Sequence, residues 1–231
     1  MKVDIGVIGA LSEEVEWLIS RLDSHGCELV GGIEFHTGAL EGKSVAIARC
    51  GVGKVFAAMC AEAMIIRYSP SLIINTGVGG ALDAQLTTGD IVIADRLCQH
   101  DMDTSPLGDP KGLISGINVI FMNCDERAVQ LLLSTGKKLS YKVKCGTVAS
   151  GDRFIASKNE KNKIVKDFSA DVCEMEGGAI AQTAFVNKTP FVVVRAISDS
   201  ADGEATMDYM SFLPIVAQRS AALTLDLIKN Y

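Results

Sequence analysis

A strand-like apolar run that ends in charged side chains constrains the fold of this chain more than any other stretch. Residues 191–197 read Phe-Val-Val-Val-Arg-Ala-Ile, and Pro190 precedes them. Such a run is typical of a strand buried on both faces, as the parallel strands of α/β sheets are. Because ligands collect at the carboxyl ends of these strands, we expect Arg195, Ser198 and Asp199 at the rim of a crevice. A solvated turn whose aspartates only cap the next helix is the alternative interpretation.

Further apolar runs alternate with helical patterns along the chain. Strands are predicted at 2–9, 33–40, 43–50, 71–76, 89–95, 144–149 and 172–176. Helices are predicted after Ser12 as N-cap, and at 54–68, 125–138, 159–168, 177–187 and 207–229. This alternation, with one hairpin at 33–50, predicts an α/β fold with helices on both faces of a twisted, mostly parallel (mixed) central sheet. With 231 residues and 48% apolar composition, residues 1–231 are interpreted as a single domain.

Charge and cysteine content argue against several classes of protein. Lys plus Arg number 22 against 28 Asp plus Glu, and no basic run is long enough to follow a phosphate backbone, so nucleic acid is not expected as a partner. The seven cysteines include no CxxC pair and the three histidines are scattered, so no metal site is predicted. The first residues lack a signal-peptide core, and no stretch approaches the roughly 18 apolar residues of a membrane span, so a cytoplasmic protein is expected.

Polar groups stand at four of the predicted strand ends. They are Glu14, the glycine-rich segment 77–80, Glu174 with Glu176, and Arg195 with Asp199. Several carboxyl groups without metal ligands or a nucleophile triad indicate general acid and base chemistry on a neutral, polar small molecule.

Two glycine-containing turns resemble nucleotide-binding motifs only in part. Gly51-Val-Gly-Lys54 looks like half of a P-loop, but it lacks the spacing and the Ser or Thr after lysine. The turn after the first strand lacks the GxGxxG spacing, and Glu13 and Glu14 stand where a phosphate would rest. NAD or an anion is therefore not expected at the first helix.

Five strings distributed over almost the whole chain form a specific pattern. They are Gly9-Ala-Leu-Ser-Glu-Glu-Val15, Asn75-Thr-Gly77, Ser150-Gly-Asp-Arg-Phe-Ile155, Glu174-Met-Glu176 and Phe191-Val-Val-Val-Arg-Ala-Ile-Ser-Asp199. In order and nearly in spacing they resemble the 5'-methylthioadenosine/S-adenosylhomocysteine nucleosidases. The resemblance implies a nucleoside phosphorylase-like fold and hydrolysis of the N-glycosidic bond of either nucleoside, which releases adenine and the 5-thioribose product without a cofactor.

The resemblance also implies which groups move protons. Asp199 matches the acid that protonates N7 of the leaving adenine, and Glu14 matches the base that activates the attacking water. Glu13 is the neighbour that points elsewhere. Arg195 and Ser198 are expected to hold the water and to orient Asp199. A neutral carboxylic acid at N7 and carboxylates near the sugar suit a reaction that passes through an oxocarbenium-like state.

Substrate contacts follow from the same matching strings. Glu176 is expected to hold the ribose hydroxyls, with Met175 beneath the sugar. Phe154 is expected to stack on adenine while the backbone at Ile155 reads the base edge. Val78, which stands where many family members carry serine, and Gly79 complete the predicted contacts.

The pocket for the 5' substituent is predicted to need a second subunit. Leu11, Val52, Tyr209 and Phe212 supply the walls of one chain. The long irregular segment 104–116 is rich in apolar residues, so we expect a homodimer in which Leu107 of this segment closes the neighbouring site. A segment folded back on its own domain is the alternative. Gly177-Gly178 replaces a more usual Ala-Thr, and the common Phe-Gly-Tyr run is missing from 104–116.

Three rival functions share the fold. A nucleoside phosphorylase needs cations or hydroxyls for phosphate, and Glu14 would repel that anion. A futalosine hydrolase or another nucleoside hydrolase differs only in what fills the 5' pocket. A non-catalytic nucleoside-binding protein could lose either Glu14 or Asp199, and both are present.

Overall fold

A single mixed sheet of ten strands organises the chain in the computed structural model, which describes residues 2–231. The strands are β1 (Ile5–Gly9), β2 (Asp23–Val30), β3 (Ile33–Leu40), β4 (Lys43–Arg49), β5 (Leu72–Ala81), β6 (Ile91–Gln99), β7 (Met122–Asn123), β8 (Val143–Ser150), β9 (Val172–Glu174) and β10 (Phe191–Asp199). The helices are α1 (Ser12–Ile19), α2 (Lys54–Tyr68), α3 (Glu126–Lys138), α4 (Lys158–Phe168), α5 (Gly177–Val186) and α6 (Ala205–Asn230). The predicted α/β fold is confirmed.

Strands from the middle of the sheet close into a ring. β5 pairs with β10, β10 with β6, β6 with β8, β8 with β9, and β9 returns to β5. On its other side β5 continues through β1, β4, β3 and β2. Because β1, β5 and β10 run parallel, their carboxyl ends meet at one edge, where α/β sheets place their ligands.

Apolar side chains fill a layer on each face of the sheet. One layer packs α2 and α5 against the sheet, and the other packs α1, α3 and α6. Helix α3 shows how the sequence directs this packing, because Asp125 Oδ1 accepts the Ala128 N–H at 2.8 Å and Leu132 is fully buried. Burial of one such leucine contributes about 1.5–3 kcal/mol to stability. The predicted hairpin at 33–50 is present as β3 and β4.

Two features at the start of the chain differ from the prediction. Strand β2 was not predicted, because its sequence has no apolar alternation and its residues are mostly exposed. It exists through its ladder to β3. Ser12 is the first residue of α1 rather than its N-cap, and Leu11 occupies the cap position. The Glu14 carboxylate takes over the capping role, because it accepts the N–H of Leu11 at 3.0 Å.

Three strands end at residues other than the predicted ones. The glycine-rich segment 77–80, expected just after a strand that ends at 76, lies inside β5, whose ten residues are all buried. Strand β6 runs to Gln99, beyond its predicted end at 95. Strand β9 stops at Glu174, so Glu176 lies outside the pleat.

Among residues 2–231 no helix is long and apolar enough to cross a bilayer.

Candidate active site

A cavity of about 540 Å³, part of it open to solvent, lies at the carboxyl ends of β1, β5 and β10. Three of the four predicted catalytic side chains line it: Glu14, Ser198 and Asp199. The predicted substrate contacts that line it are Leu11, Val52, Val78, Gly79, Phe154, Ile155, Met175, Glu176 and Tyr209. Arg195 and Leu107 are outside the lining.

Glu14 enters the cavity from the first turn of α1 and is 3% exposed. Its Oε2 accepts the N–H groups of Ala10 and Leu11 at 2.6 and 3.0 Å, and its Oε1 accepts the Val78 N–H at 3.1 Å. Burial raises the pKa of Glu14, while the charge of Arg195 and these N–H groups oppose the rise. A fixed carboxyl group with a raised pKa is suited to accept a proton.

The position of Glu14 depends on the absence of a side chain at Gly77. A Cβ atom at position 77 would lie 2.6 Å from Glu14 Oε1, which is closer than carbon and oxygen approach without a bond. Gly77 therefore allows the carboxyl group to lie directly against β5.

Asp199 ends β10, where the pairing with β5 is irregular. Ser198 Oγ donates to Asp199 Oδ2 at 2.8 Å, and the Ala201 N–H donates to Oδ1 at 2.8 Å. Burial raises the pKa of Asp199. Beneath this turn, Lys161 Nζ donates to the carbonyl oxygens of Ala81 and Ser200 at 2.7 and 2.8 Å. The lysine thus ties the ends of β5 and β10 together.

Arg195 lies behind the cavity and is 1% exposed. Its Nη2 donates to Glu174 Oε2 and to Asn75 Oδ1, each at 2.5 Å, and its Nη1 donates to the Val194 carbonyl at 3.0 Å. Within residues 2–231 no hydrogen bond joins Arg195 to Asp199, so the expected orienting contact comes from Ser198 instead.

Glu174 is ionised by this arrangement. Burial alone would raise the pKa of Glu174, but the charge of Arg195 and hydrogen bonds from Ser150 and the Gly177 N–H outweigh burial and lower it. The charge of Arg195 is therefore compensated inside the protein.

Glu176 stands at the N-cap of α5, and its Oε1 accepts the Gly53 N–H at 2.9 Å. Burial, reinforced by the neighbouring charge of Glu174, raises the pKa of Glu176 to about 8. Two carboxyl groups two residues apart thus have opposite pKa shifts. Only Glu174 is paired with a guanidinium.

Two aromatic rings form one wall of the cavity. Phe154, from the loop after β8, is 45% exposed, and its ring meets Tyr209 of α6 edge-on with centroids 5.5 Å apart. An exposed ring beside an apolar cavity is a surface on which a planar heterocycle can stack.

Leu11 and Val52, which were predicted as walls of the 5' pocket, line the cavity. Leu107 is 84% exposed in a short 3₁₀ turn (Ser105–Leu107), and it does not reach the cavity of its own chain. Phe212, predicted as a further wall, is 39% exposed and also lies outside the lining.

Sequence reasoning missed some of the lining residues. They are Ala10, Arg153 and Cys173, whereas Gly80 and Glu174 were expected only as groups at strand ends. The run of glycines pointed to Gly80, but Cys173 enters only because β9 pairs antiparallel with β5. The described residues contain no group of three or more His, Cys, Asp and Glu side chains placed to hold a metal ion.

Comparison with known proteins places this geometry in a family. The phosphorylase superfamily model matches residues 4–229. The 5'-methylthioadenosine/S-adenosylhomocysteine nucleosidase of Haemophilus influenzae is 38% identical over 225 residues, which cover 97% of this chain and 98% of that protein. The chain belongs to the 5'-methylthioadenosine/S-adenosylhomocysteine nucleosidase family. The predicted resemblance is thereby confirmed, and the protein is an enzyme, an N-glycosyl hydrolase.

Solved structures give the same fold over the full chain. The nucleosidase of Neisseria meningitidis in complex with methylthio-immucillin-A superposes with a TM-score of 0.96 at 32% identity, covering 99% of each chain. The futalosine hydrolase of Helicobacter pylori superposes with a TM-score of 0.94 at 32% identity, covering 99% of this chain and 98% of that chain. Overall similarity to these structures therefore does not distinguish a nucleosidase from a futalosine hydrolase.

Proposed function

We propose that this enzyme hydrolyses the N-glycosidic bond of 5'-methylthioadenosine and S-adenosylhomocysteine. The observation that supports this most directly is that the carboxyl groups of Glu14, Glu176 and Asp199 face one cavity beside the Phe154 ring. These carboxyl groups can bind a ribose between a stacked base and an activated water. Membership of the nucleosidase family indicates that the substrate is a thio-nucleoside of adenine. The proposed reaction uses no cofactor.

In the proposed mechanism Asp199 enters the reaction protonated and donates its proton to N7 of adenine as the C1'–N9 bond breaks. Burial favours this protonated form because it raises the pKa of the carboxyl group. The Ser198 hydroxyl donates a hydrogen bond to Oδ2 of Asp199. The acidic proton of Asp199 is then carried by Oδ1, or by Oδ2 on the side of that oxygen that faces the base. The bonding electrons leave with adenine, which departs neutral.

Glu14 then takes a proton from the water that attacks C1'. The three backbone N–H groups that bind Glu14 fix its oxygens, so no reorientation is needed when the sugar becomes positive. The water oxygen forms the new bond to C1'. Glu14 and Asp199 return to their starting forms when the proton gained by Glu14 passes through solvent.

Glu176 is proposed to accept hydrogen bonds from the ribose hydroxyls, with Met175 beneath the sugar. Val78 and Gly79 supply the backbone on the opposite side of the cavity, and Ile155 presents its backbone to the base stacked on Phe154. Arg195 acts on this set indirectly, because it holds Glu174 beside Glu176.

A homodimer is proposed to complete the 5' pocket. Leu107 is almost fully exposed in one chain, although Leu11, Val52 and Tyr209 leave the 5' end of the cavity open. Exposed apolar side chains also include Val55, Phe56 and Met59 of α2. A second subunit that covers these residues and contributes its segment 104–116 would bury both Leu107 and the apolar side chains of α2.

One assay tests the proposed function. Release of the free purine base is measured with and without phosphate: adenine from 5'-methylthioadenosine, S-adenosylhomocysteine and adenosine, and hypoxanthine from inosine. We expect release from the first two nucleosides without phosphate, because Glu14 occupies the position where a phosphorylase needs positive charge. Strict dependence on phosphate, with a ribose 1-phosphate product, would contradict the proposal.

Futalosine is the second candidate substrate, because a futalosine hydrolase superposes almost as well as the nucleosidases. The same assay with futalosine distinguishes the two. Turnover of futalosine with no adenine release from either thio-nucleoside would favour this second function.

A further inference from the structure

A second cavity opens beside the catalytic one and continues it at its 5' end. We call it the outer groove; it encloses about 1710 Å³, including open solvent. Ala10, Leu11 and Val52 line both cavities, so the outer groove begins where the 5' substituent of a nucleoside would leave the catalytic cavity. Farther out, the groove lies between α1 on one side and β3 with the end of β4 on the other.

Opposite charges line the outer groove beyond this apolar junction. Arg49, the last residue of β4, lies beside Gly9 in the parallel ladder and is exposed. Its Nη1 donates to Ser12 Oγ at 2.8 Å, and no other partner of its guanidinium is present among residues 2–231. Three carboxylates also line the outer groove, Glu13 and Glu16 from α1 and Glu34 from β3. None of the three carboxylates has an ion-pair partner within the described residues.

Of the three carboxylates, Glu13 is the closest in sequence to Leu11, which lies at the junction with the catalytic cavity. It directly precedes the buried Glu14, and its charge acts on Tyr209, whose pKa is raised to about 12 by burial and then by Glu14, Glu176 and Glu13. Tyr209 lines the catalytic cavity. Glu13 therefore lies within electrostatic range of the catalytic cavity while its side chain lines the outer groove.

The two thio-nucleosides of the proposed function differ only beyond the sulfur. 5'-Methylthioadenosine ends in a methyl group, whereas S-adenosylhomocysteine continues through two methylene groups to a carbon that carries an ammonium and a carboxylate. Methylene groups suit the apolar junction of Leu11 and Val52. A zwitterion suits a groove that offers one exposed guanidinium and several carboxylates, because both of its charges can be paired.

We propose that the outer groove is a subsite for the amino-acid tail of S-adenosylhomocysteine, in which Arg49 binds the carboxylate and Glu13 binds the ammonium group. This proposal rests on the proposed function and adds to it a basis for choosing between the two substrates. Arg49 and Glu13 touch only the tail, so they contribute nothing to the chemistry at C1'.

The test compares three nucleosides that differ only in the tail: 5'-methylthioadenosine, 5'-butylthioadenosine and S-adenosylhomocysteine. The butyl chain has a length similar to that of the amino-acid tail but carries no charge. Arg49→Met should lower kcat/KM for S-adenosylhomocysteine by about tenfold, the value of one charge-assisted hydrogen bond. The ratio of kcat/KM between the two uncharged nucleosides should not change. Glu13→Gln should show the same selectivity with a smaller loss.

Arg21→Met is the matched control, because Arg21 is an exposed arginine of the same region that stacks on Trp17 outside the outer groove. It removes the same charge and should leave all three kcat/KM values unchanged. Equal losses on all three nucleosides in Arg49→Met, or a change in its sedimentation, would show that the groove serves folding or subunit contact and would overturn the subsite.

Unchanged kinetics with S-adenosylhomocysteine in both Arg49→Met and Glu13→Gln would overturn the subsite while the proposed function stands. If the unmodified enzyme releases adenine from none of the three nucleosides, the proposed function and the subsite both fall.

Discussion

The backbone N–H of Gly53 donates a 2.9 Å hydrogen bond to Oε1 of Glu176, across 123 positions of sequence. This bond brings the start of α2 to the Glu176 side of the cavity, and it involves a glycine with φ of 100°. Residues with a side chain rarely adopt this conformation. The placement of the Glu176 carboxyl group in the cavity thus depends on a backbone conformation that glycine provides.

Gly53→Ala should therefore affect both stability and sugar binding. We expect a loss of about 1–3 kcal/mol in the free energy of unfolding, because alanine is strained at this φ. The KM for 5'-methylthioadenosine should rise as Glu176 loses its fixed position. Gly203→Ala is the control, because a Cβ there meets no atom within 4 Å and its φ is ordinary. Urea unfolding and steady-state kinetics check both effects, and equal behaviour of the two variants would contradict the prediction.

The pKa of Glu176 predicts how stability depends on pH. In the folded state this pKa is about 8, against 4.5 for an unperturbed glutamate, so between these values the folded state holds a proton that the unfolded chain releases. The resulting stabilisation is complete below pH 4.5 and is lost as pH rises through about 8. The Tm of the wild type minus that of Glu176→Gln should therefore fall with rising pH. A difference that grows with pH would show that Glu176 is ionised in the folded enzyme.

Glu174→Gln should damage the fold more than a single lost hydrogen bond would. The substitution leaves the Arg195 guanidinium buried without its charged partner, which typically costs about 3–5 kcal/mol. It should also shift the pKa of Glu176 downward, because the charge of Glu174 is the second cause of its rise. Glu160→Gln breaks the exposed pair with Arg153 and should cost less than about 1 kcal/mol. Thermal unfolding of the two variants at one pH provides the comparison.

Asp199→Asn should abolish most turnover while the fold and nucleoside binding remain. Asparagine keeps the shape and the contact with Ser198 but has no proton of suitable acidity for N7, so kcat should fall by roughly 10²-fold to 10⁴-fold. Asp202→Asn, in the same turn, should stay within a few-fold of wild type. Single-turnover adenine release and calorimetric binding of 5'-methylthioadenosine measure the two effects, and near-normal kcat would mean that another group supplies the proton.

Leu107→Asp tests the borrowed wall of the 5' pocket. We expect a weaker dimer in sedimentation and a higher KM for 5'-methylthioadenosine, since a carboxylate replaces the apolar contact to the methylthio group. Leu139→Asp, at an exposed leucine after α3, should change neither property. A fully active monomer at assay concentrations would refute the proposal that Leu107 of one subunit completes the 5' pocket of the other. An unchanged KM in Leu107→Asp would refute it as well.

Elements with strong local signals could be predicted from the sequence. Strand β10 has a continuous β-branched run, and α3 has a capping aspartate before a clear apolar stripe, so both were predicted to within a residue or two. Strand β2 could not be, because an exposed strand of mixed composition is defined by its partner and not by its own residues. Strand β9 is buried but was predicted two residues too long, because Glu176 is the N-cap of α5 rather than part of the strand.

The same distinction, between features with a local sequence signal and features set by distant partners, applies to the candidate site. Strand-end carboxyl groups could be read from motifs, but the pairing of Arg195 with Glu174 could not, because it depends on how two separate strands meet in space. Sequence reasoning expected the Arg195 guanidinium to orient Asp199, its near neighbour along the chain. The actual partner, Glu174, is farther away in sequence, and the contact with Arg195 lowers the pKa of Glu174.

The missing side chain at Gly77 has a consequence for how this enzyme can vary. Any larger residue at position 77 collides with the Glu14 carboxyl group, so the two positions can change only together. Mutant libraries that randomise one position at a time should recover only glycine at 77 as long as Glu14 is kept. A descendant of this scaffold that used phosphate in place of water would have to replace Glu14, and only then could position 77 accept a side chain.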